Sequence, residues 1–340
     1  MPVTDPKGIL QGERLALTRA LTQIENSTQE GFDLLEALFP HTGKAYLIGV
    51  TGAPGTGKST LVNQLAYHFR HPNDQSEAPK IAVIAVDPTS PFSGGALLGD
   101  RVRMNDLVGD PGVFVRSMAS RGSLGGLAAA TASLVMVFDA AGYEIIIIET
   151  VGAGQAEVDI ASLAHSTIVV EAPGLGDEIQ TIKAGILEIA DILVVNKADK
   201  PGAEHSLRAL RTMLSLAHPH TQTHDHHEPA GNKGQQEGLP PNPPWIPPVL
   251  ATTSTTGEGL PELVAELAHH REYLQSSGTW QIREEKRLTN ELEVLLRDSL
   301  RSRWESKISP EIYQDTLNRV LARQITPWRA VEALVEGVGL

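Results

Sequence analysis

The chain contains no cysteine. That excludes disulfides, thiolate zinc sites and thiol nucleophiles, and it fits a reducing compartment. Basic residues are also in short supply. Twenty-eight Lys and Arg stand against 41 Asp and Glu, a formal charge of −13. A chain this acidic is a poor match for nucleic-acid backbones or anionic membrane surfaces. No long apolar run is present either. The least polar region, 124 to 141, is mostly Ala, Gly, Ser and Val, with Asp139 near its end. It falls short of a spanning helix. The opening MPVTDPKGIL lacks the basic start and apolar core of a secretory signal, and it is not Arg-rich and acid-poor. The expectation is a soluble cytoplasmic protein with neither nucleic acid nor membrane as a partner.

What is present, over 340 residues, is alternation. Leu15, Leu17, Leu21, Ile24, then Leu34, Leu35 and Leu38 recur near the helical period, predicting two helices parted around Asn26 to Gly31. Short apolar strands then follow at AYLIGV (45–50), IAVIAVD (81–87), YEIIIIE (143–149), STIVVEA (166–172), ILVVNKAD (192–199) and VLATTS (249–254). Helical stretches lie between them: STLVNQLAYHF (59–69), GSLGGLAAATASLVMVFDAAG (122–142) and EIQTIKAGILEIA. This order predicts an α/β fold with a mostly parallel central sheet and helices on both faces.

Residues 218 to 248 are rich in His, Pro, Gly and polar residues and read as a long surface insertion. From 258 onward the pattern is helical. SPEIYQDTL and TPWRAVEAL each place Ser or Thr before Pro, as at a helix start. The expected organisation is a helical segment over 1–42, a nucleotide domain over 43–270, and a helical arm over 271–340.

GAPGTGKS, Gly52 to Ser59, fits G-x-x-x-x-G-K-[ST], the phosphate-binding P-loop. A strand precedes it and a helix follows. Gly52, Ala53, Pro54, Gly55, Thr56 and Gly57 form the loop whose backbone N–H groups turn toward phosphate oxygens, and Thr60 continues it. Lys58 supplies charge to the β- and γ-phosphates, Ser59 can ligate Mg²⁺, and the helix N-terminus favours anions. NKAD, Asn196 to Asp199, follows ILVV. The Asp199 carboxylate can accept from guanine N1–H and N2 amino groups, for which adenine has no matching donors. Lys197 can lie along the purine face, and Asn196 can tie this loop to the P-loop.

Two strands end in acids: Asp87 closes IAVIAVD and Glu149 closes IIIIE. Ligands of open α/β sheets bind at the carboxyl ends of strands, so each carboxylate can face Mg²⁺ directly or through water. Each can equally cap a helix or pair with Lys58. Glu149 reaches one methylene further than Asp, which suggests an altered or water-mediated contact.

These stretches together resemble the MeaB/ArgK-type P-loop GTPases, auxiliary proteins of adenosylcobalamin-dependent acyl-CoA mutases such as methylmalonyl-CoA mutase. The resemblance runs from LTRALTQIEN through GVTGAPGTGKSTL, AVDPTSPFSGGALLGDRVRM, SRGSLGGLA, IIIIETVGAGQAE and APGLGDEIQTIKAGILEIADILVVNKAD to the tail. It implies a GTPase using GTP/GDP and Mg²⁺. Lys58 and Ser59 would bind phosphate and metal. Asp87, Asp100 and Glu149 would surround the metal, with Lys58, Asp100 and Glu149 the catalytic candidates. Gly152 N–H would sense the γ-phosphate, and a third mobile segment (173–183, with Lys183) would face the partner. Asn196, Lys197 and Asp199 would read guanine beside Thr253 and Ser254. The tail would form a homodimer, and the partner would be a cobalamin-dependent acyl-CoA mutase, with the protein gating adenosylcobalamin loading and protecting or reactivating that enzyme. Thr253-Ser254 stands where relatives usually have Ser-Ala, Glu171 where they tend to be apolar, and the 218–248 insertion is additional.

Several features stay open at this level. His218, His220, His224, His226 and His227 read as a solvated loop or as a metal-binding tract, the latter suiting a metallochaperone GTPase. A P-loop kinase would use the same phosphate loop. Arg101, Arg103, Arg116 and Arg121 read as surface solvation or as contacts to phosphate or partner. The tail leucines serve a core or a dimer. Gln155 is a candidate by type for orienting water, but it lies outside the catalytic set.

Overall fold

Runs of Ile and Val, residues whose branched side chains fit a pleated surface, build seven strands: β1 Tyr46–Thr51, β2 Ile81–Pro88, β3 Val113–Ser120, β4 Ile145–Thr150, β5 Ser166–Glu171, β6 Ile192–Val195 and β7 Val249–Ala251. They form one sheet in the order β3-β2-β4-β1-β5-β6-β7, every pair parallel. The structure, a computed structural model, describes residues 5–26, 28–72, 77–88, 107, 109–120, 126–150, 155–174, 188–217 and 244–337.

The helices are α1 Pro6–Leu10, α2 Arg14–Glu25, α3 Gln29–Leu38, α4 Lys58–Arg70, α5 Gly126–Ala140, α6 Gln155–Leu163, α7 Ala203–Ala217, α8 Leu260–Ser276, α9 Thr279–Lys307, α10 Pro310–Leu321 and α11 Pro327–Glu336. Side chains alternate across a strand, so consecutive isoleucines of β4 feed different cores. Ile146 and Ile148 join residues of α2, α3, α5 and α6. Ile145 and Ile147 join Leu61, Leu65, Leu263 and Leu267 from α4 and α8. The sheet is therefore buried on both faces, as an all-parallel sheet requires. Strand order reverses about β1, which opens the crevice at the carboxyl ends where such folds take ligands.

The expected elements appear with two differences. Strand β3 was not anticipated. It is an edge strand carrying Arg116 and Ser117 among its apolar residues, so it lacks the unbroken run of the central strands. The last strand ends at Ala251 rather than 254, because Thr253 turns to bridge Glu258. Nearly all of the stretch EIQTIKAGILEIA, expected to be a helix, and nearly all of the His-rich insertion lie outside the described residues; Glu188 and Ile189, near the end of the first, are helical. The Ser-Pro and Thr-Pro starts hold: the Ser309 side chain accepts from Glu311 N–H and that of Thr326 from Arg329 N–H.

A polar clamp occupies the opposite, amino-terminal edge of the sheet. Asp191, just before β6, accepts two bonds from Arg283 of α9, at 2.8 and 2.7 Å. His165 Nδ1 accepts the Leu47 N–H at 3.0 Å. Its proton therefore lies on Nε2, which donates to Glu284 at 2.6 Å. This is a neutral ring on a carboxylate, and burial keeps the imidazole below its ordinary pKa. Burial alone would raise Glu284, but bonds from His165 and Arg287 outweigh it and hold the carboxyl at about 2. His270 is fully buried, with Nδ1 2.6 Å from Ser166 Oγ and Nε2 3.3 Å from Asp191. Burial outweighs the attraction of Asp191 and pushes its pKa down to about 4. Trp245 donates from Nε1 to the Asp191 carbonyl at 2.8 Å and packs its ring at a tilt against His270.

The chain divides into two compact units, Met1–Arg287 and Leu288–Leu340. In the second, Trp304 donates to the Leu334 carbonyl at 3.1 Å. A groove of about 640 Å³ runs beside it, lined by Ile308, Tyr313, Val331 and Val335. Leu292, Leu295, Leu296 and Leu300 are exposed along α9.

Candidate functional site

The loop between β1 and α4 owes its shape to glycine. Gly52 has φ +136°, and a Cβ there would lie 2.1 Å from the Val170 carbonyl oxygen. Gly57 has φ +93°, and a Cβ there would lie 2.5 Å from Asn196 Nδ2. Any side chain at either position would collide with a neighbouring strand end. Helix α4 begins at Gly57 with no side-chain cap. The positive end of its dipole thus faces the loop, which favours an anion there. Lys58 is buried, and its ammonium donates to the carbonyls of Gly52 at 2.8 Å and Ala53 at 2.9 Å. The Thr56 hydroxyl donates to Ala53 O at 3.0 Å, closing the turn. Pro54, Gly55 and Thr60 complete the segment.

Ser59 and Glu149 meet. The Ser59 hydroxyl donates to Glu149 Oε1 at 2.6 Å, and both residues are buried. Glu149 shares the α4 face of β4 with Ile145 and Ile147, which aims it at the start of α4. One hydroxyl and one carboxylate are hard oxygen donors, the chemistry that Mg²⁺ prefers. Among the described residues no group of three or more His, Cys, Asp or Glu is arranged to hold a metal. On the other face of the same strand ends, the Thr150 hydroxyl donates to Thr51 Oγ1 at 3.0 Å, with both residues fully buried.

The second half of the site comes from the ends of β6 and β7. Asn196 donates from Nδ2 to the Thr56 carbonyl at 2.8 Å. Its Oδ1 accepts from the Thr252 hydroxyl at 3.1 Å, the Ser254 N–H at 3.2 Å and the Ser254 hydroxyl at 2.7 Å. Lys197 adopts φ +57° and reaches Gly55 O at 2.6 Å. That stretches its stem across the loop between the two motifs. Asp199 is solvent-accessible, 3.3 Å from Lys200. Thr253 is buried, its N–H on Glu258 O at 2.9 Å.

The structure therefore brings Gly52 to Ser59, Glu149, Asn196, Lys197 and Ser254 into one contact network, while Thr253 bonds within its own turn and to Glu258. Asp87 reaches the carboxyl edge opposite Ala119, two positions beyond the residue paired with Glu149. Its side chain lies outside the described residues, as do Asp100, Gly152, Lys183 and the Gln155 side chain. Arg116 is settled differently from the other arginines. It forms a two-point pair with Glu25 at the end of α2, so it ties edge strand to helix and is spoken for. Arg101, Arg103 and Arg121 lie outside the described residues. The sequence reading missed Thr252, Thr51 and Thr150. Each is a threonine at a strand's carboxyl end beside a recognised motif, which is the signal that marks them.

Similarity to known proteins agrees with this geometry. Residues 17–309 match the family described as Methylmalonyl Co-A mutase-associated GTPase MeaB. A Pyrococcus abyssi protein named as a candidate GTPase is 41% identical over 328 residues, covering 96% of this chain and 94% of its own. The GTPase ArgK of Escherichia coli is 35% identical over 279 residues, covering 80% and 76%. The crystal structure titled LAO/AO transport system kinase superposes with a TM-score of 0.68 at 26% identity, covering 98% of this chain and 96% of its own. A P-loop braced against an NK-x-D loop, on a seven-stranded parallel sheet and with this family match over most of its length, makes the chain a guanine-nucleotide-binding GTPase that belongs to the MeaB family.

Proposed function

We propose that this GTPase is a chaperone of a cobalamin-dependent acyl-CoA mutase such as methylmalonyl-CoA mutase, gating adenosylcobalamin loading and protecting or reactivating that enzyme. The observation that carries the reading is the family match over residues 17–309, whose description names association with that mutase. It is a cytoplasmic homodimer in this reading. The exposed leucines of α9 and the groove beside Trp304 support a pairing surface in the second unit, and among the described residues no helix is long and apolar enough to cross a membrane.

Hydrolysis would proceed by in-line attack of water on the γ-phosphate of GTP. Lys58 would leave the Gly52 and Ala53 carbonyls for the β- and γ-phosphate oxygens. The α4 N-terminus would add N–H donors to the same oxygens. Ser59 and Glu149 would hold Mg²⁺, with Asp87 and Asp100 completing its surround; the ion supplies neutralisation of charge building on the phosphates. Gly152 N–H would report the γ-phosphate to the segment behind it. Asp199 would accept from guanine N1–H and N2, Lys197 would cover the purine face, and Asn196 would hold the two motifs at fixed spacing with Thr253 and Ser254 backing them.

Co-purification tests the partner. The purified protein is mixed with an adenosylcobalamin-dependent acyl-CoA mutase and passed over a sizing column with GDP or a non-hydrolysable GTP analogue. The expected result is a complex whose stability depends on which nucleotide is present, together with slower inactivation of the mutase during turnover. Failure to co-elute with either nucleotide, and no effect on mutase lifetime, would remove the chaperone reading and leave the GTPase standing.

A further inference from the structure

Thr51 and Thr150 occupy the last positions of β1 and β4, adjacent strands whose register pairs Val50 with Glu149 just before them. Their side chains point to the face opposite Glu149, where each is fully buried and the hydroxyls are 3.0 Å apart. The two strand ends lead to different halves of the phosphate site. Thr51 is followed at once by Gly52, whose carbonyl takes the Lys58 ammonium at 2.8 Å. Thr150 directly follows Glu149, whose carboxylate takes the Ser59 hydroxyl at 2.6 Å. In sequence, Thr51 leads into the P-loop and Thr150 into the segment that precedes α6.

Helix α6 lies on the same face. A Cβ at Gly49 would come within 2.7 Å of Ile160 and 3.1 Å of Ala164, so the helix rests directly on the β1 backbone. Apolar packing fills that face up to the threonines. A valine in each place would fill it with the same shape. Two buried hydroxyls bonded to one another carry a desolvation cost that two methyls would not. What the hydroxyl pair adds is direction: a cross-strand bond of fixed length at the point where ladder pairing ends.

We infer that Thr51 and Thr150 are positioning residues for GTP hydrolysis, their hydroxyl–hydroxyl bond fixing the spacing between the start of the phosphate loop at Gly52 and the Glu149 carboxylate. The inference rests on the reading of Glu149 as a Mg²⁺-side group. Both threonine side chains lie on the sheet face away from Glu149. Displacement of one strand end by a fraction of an ångström shifts the phosphate loop relative to the Ser59–Glu149 pair that would hold Mg²⁺, which lowers the rate more than it lowers binding.

The test is a cycle of Thr51→Val, Thr150→Val and the double variant, with Thr51→Ser and Thr150→Ser as hydroxyl-retaining controls. Circular dichroism monitors folding, and the readouts are kcat, KM for GTP and the Mg²⁺ concentration for half-maximal rate. Each valine variant is expected to lose about tenfold in kcat with KM within about twofold, and to need several-fold more Mg²⁺. The double variant is expected to be no slower than the slower single one, because both remove one bond. Serine is expected to restore the rate at either position. Wild-type kcat in the folded valine variants, additive losses in the double variant, or serine variants as slow as valine would each overturn the inference. Should Thr150→Val not fold, Thr51→Val carries the test, since it removes the other partner of the same bond. Glu149→Ala run in parallel separates the two readings. If it keeps the wild-type Mg²⁺ response, the assignment of Glu149 fails; if it loses that response while the valine variants do not, only the threonine inference fails.

Discussion

Asn196 reaches across from the end of β6 and donates its amide to the carbonyl of Thr56, 2.8 Å away and 140 residues earlier in the chain. Its oxygen is at the same time held by Thr252 and Ser254. One buried side chain thus joins the end of β6, proposed to read guanine, to the loop proposed to hold phosphate. Replacing it with alanine leaves a carbonyl and two hydroxyls without this partner, each a cost of about 1–3 kcal/mol when buried. Asn196→Ala is expected to lower the urea midpoint and to weaken GTP and GDP binding more than tenfold. Unchanged nucleotide affinity by calorimetry would show that the bridge is dispensable.

In the proposed reading, guanine choice rests on Asp199. Its carboxylate is accessible and its neighbour Lys200 is also exposed, so the substitution Asp199→Asn carries little structural cost, within about 0.5 kcal/mol. The expected outcome is a large drop in GTP affinity, of order a hundredfold or more, with ATP affinity little changed. A GTP/ATP ratio equal to that of the wild type in competition binding would contradict the assignment.

Glu149→Gln tests the charge beside Ser59 while keeping an oxygen for its hydroxyl. The fold is expected to be retained. The Mg²⁺ concentration for half-maximal hydrolysis is expected to rise about tenfold or more, since one anionic donor is lost. Glu149→Asp, shorter by a methylene, is expected to fall between the two. Titration of Mg²⁺ at saturating GTP reads both, and identical curves for all three proteins would sink the metal role.

The amino-edge clamp sets an acid limit on stability. His270 has a folded-state pKa pushed down to about 4 from its ordinary 6.5, so the unfolded chain binds its proton first. Stability is full above pH 6.5 and falls as pH drops from there to about 4. His165 works in the same direction. Glu284, held at about 2 instead of 4.5, extends the loss from about pH 4.5 downward. The His270 contribution is on the order of 3 kcal/mol. Urea midpoints measured from pH 7.5 to 4 are expected to decline in the wild type, with a shallower decline in His270→Gln. Parallel slopes for the two would assign the acid sensitivity elsewhere.

Much of this site was legible because its motifs are contiguous. GAPGTGKS lies between a strand and a helix, and no other residue type than glycine satisfies the backbone at Gly52 and Gly57. Glu149 stood out as a charge closing four isoleucines. The links between motifs were less visible. Thr252 and the Thr51–Thr150 pair act through a partner distant in sequence, and a single threonine after an apolar strand looks like any strand end. Strand β3 was hidden by Arg116, whose charge interrupts the apolar pattern; Glu25, 91 positions away, compensates it. The amino-edge clamp gave no sequence signal, because its histidines and carboxylates are scattered from His165 to Arg287 and only the parallel sheet gathers them.

Trp245 has a consequence for how this chain tolerates change. Its indole bonds the Asp191 carbonyl, its N–H bonds the Tyr273 hydroxyl at 3.2 Å, and its ring covers His270. β7 begins four residues later. The tryptophan works as a mooring post: the strand's register is set from that point on, whatever length of chain arrives at it from α7. Insertions and deletions upstream of Trp245 are thereby uncoupled from the Thr252–Ser254 turn that backs Asn196.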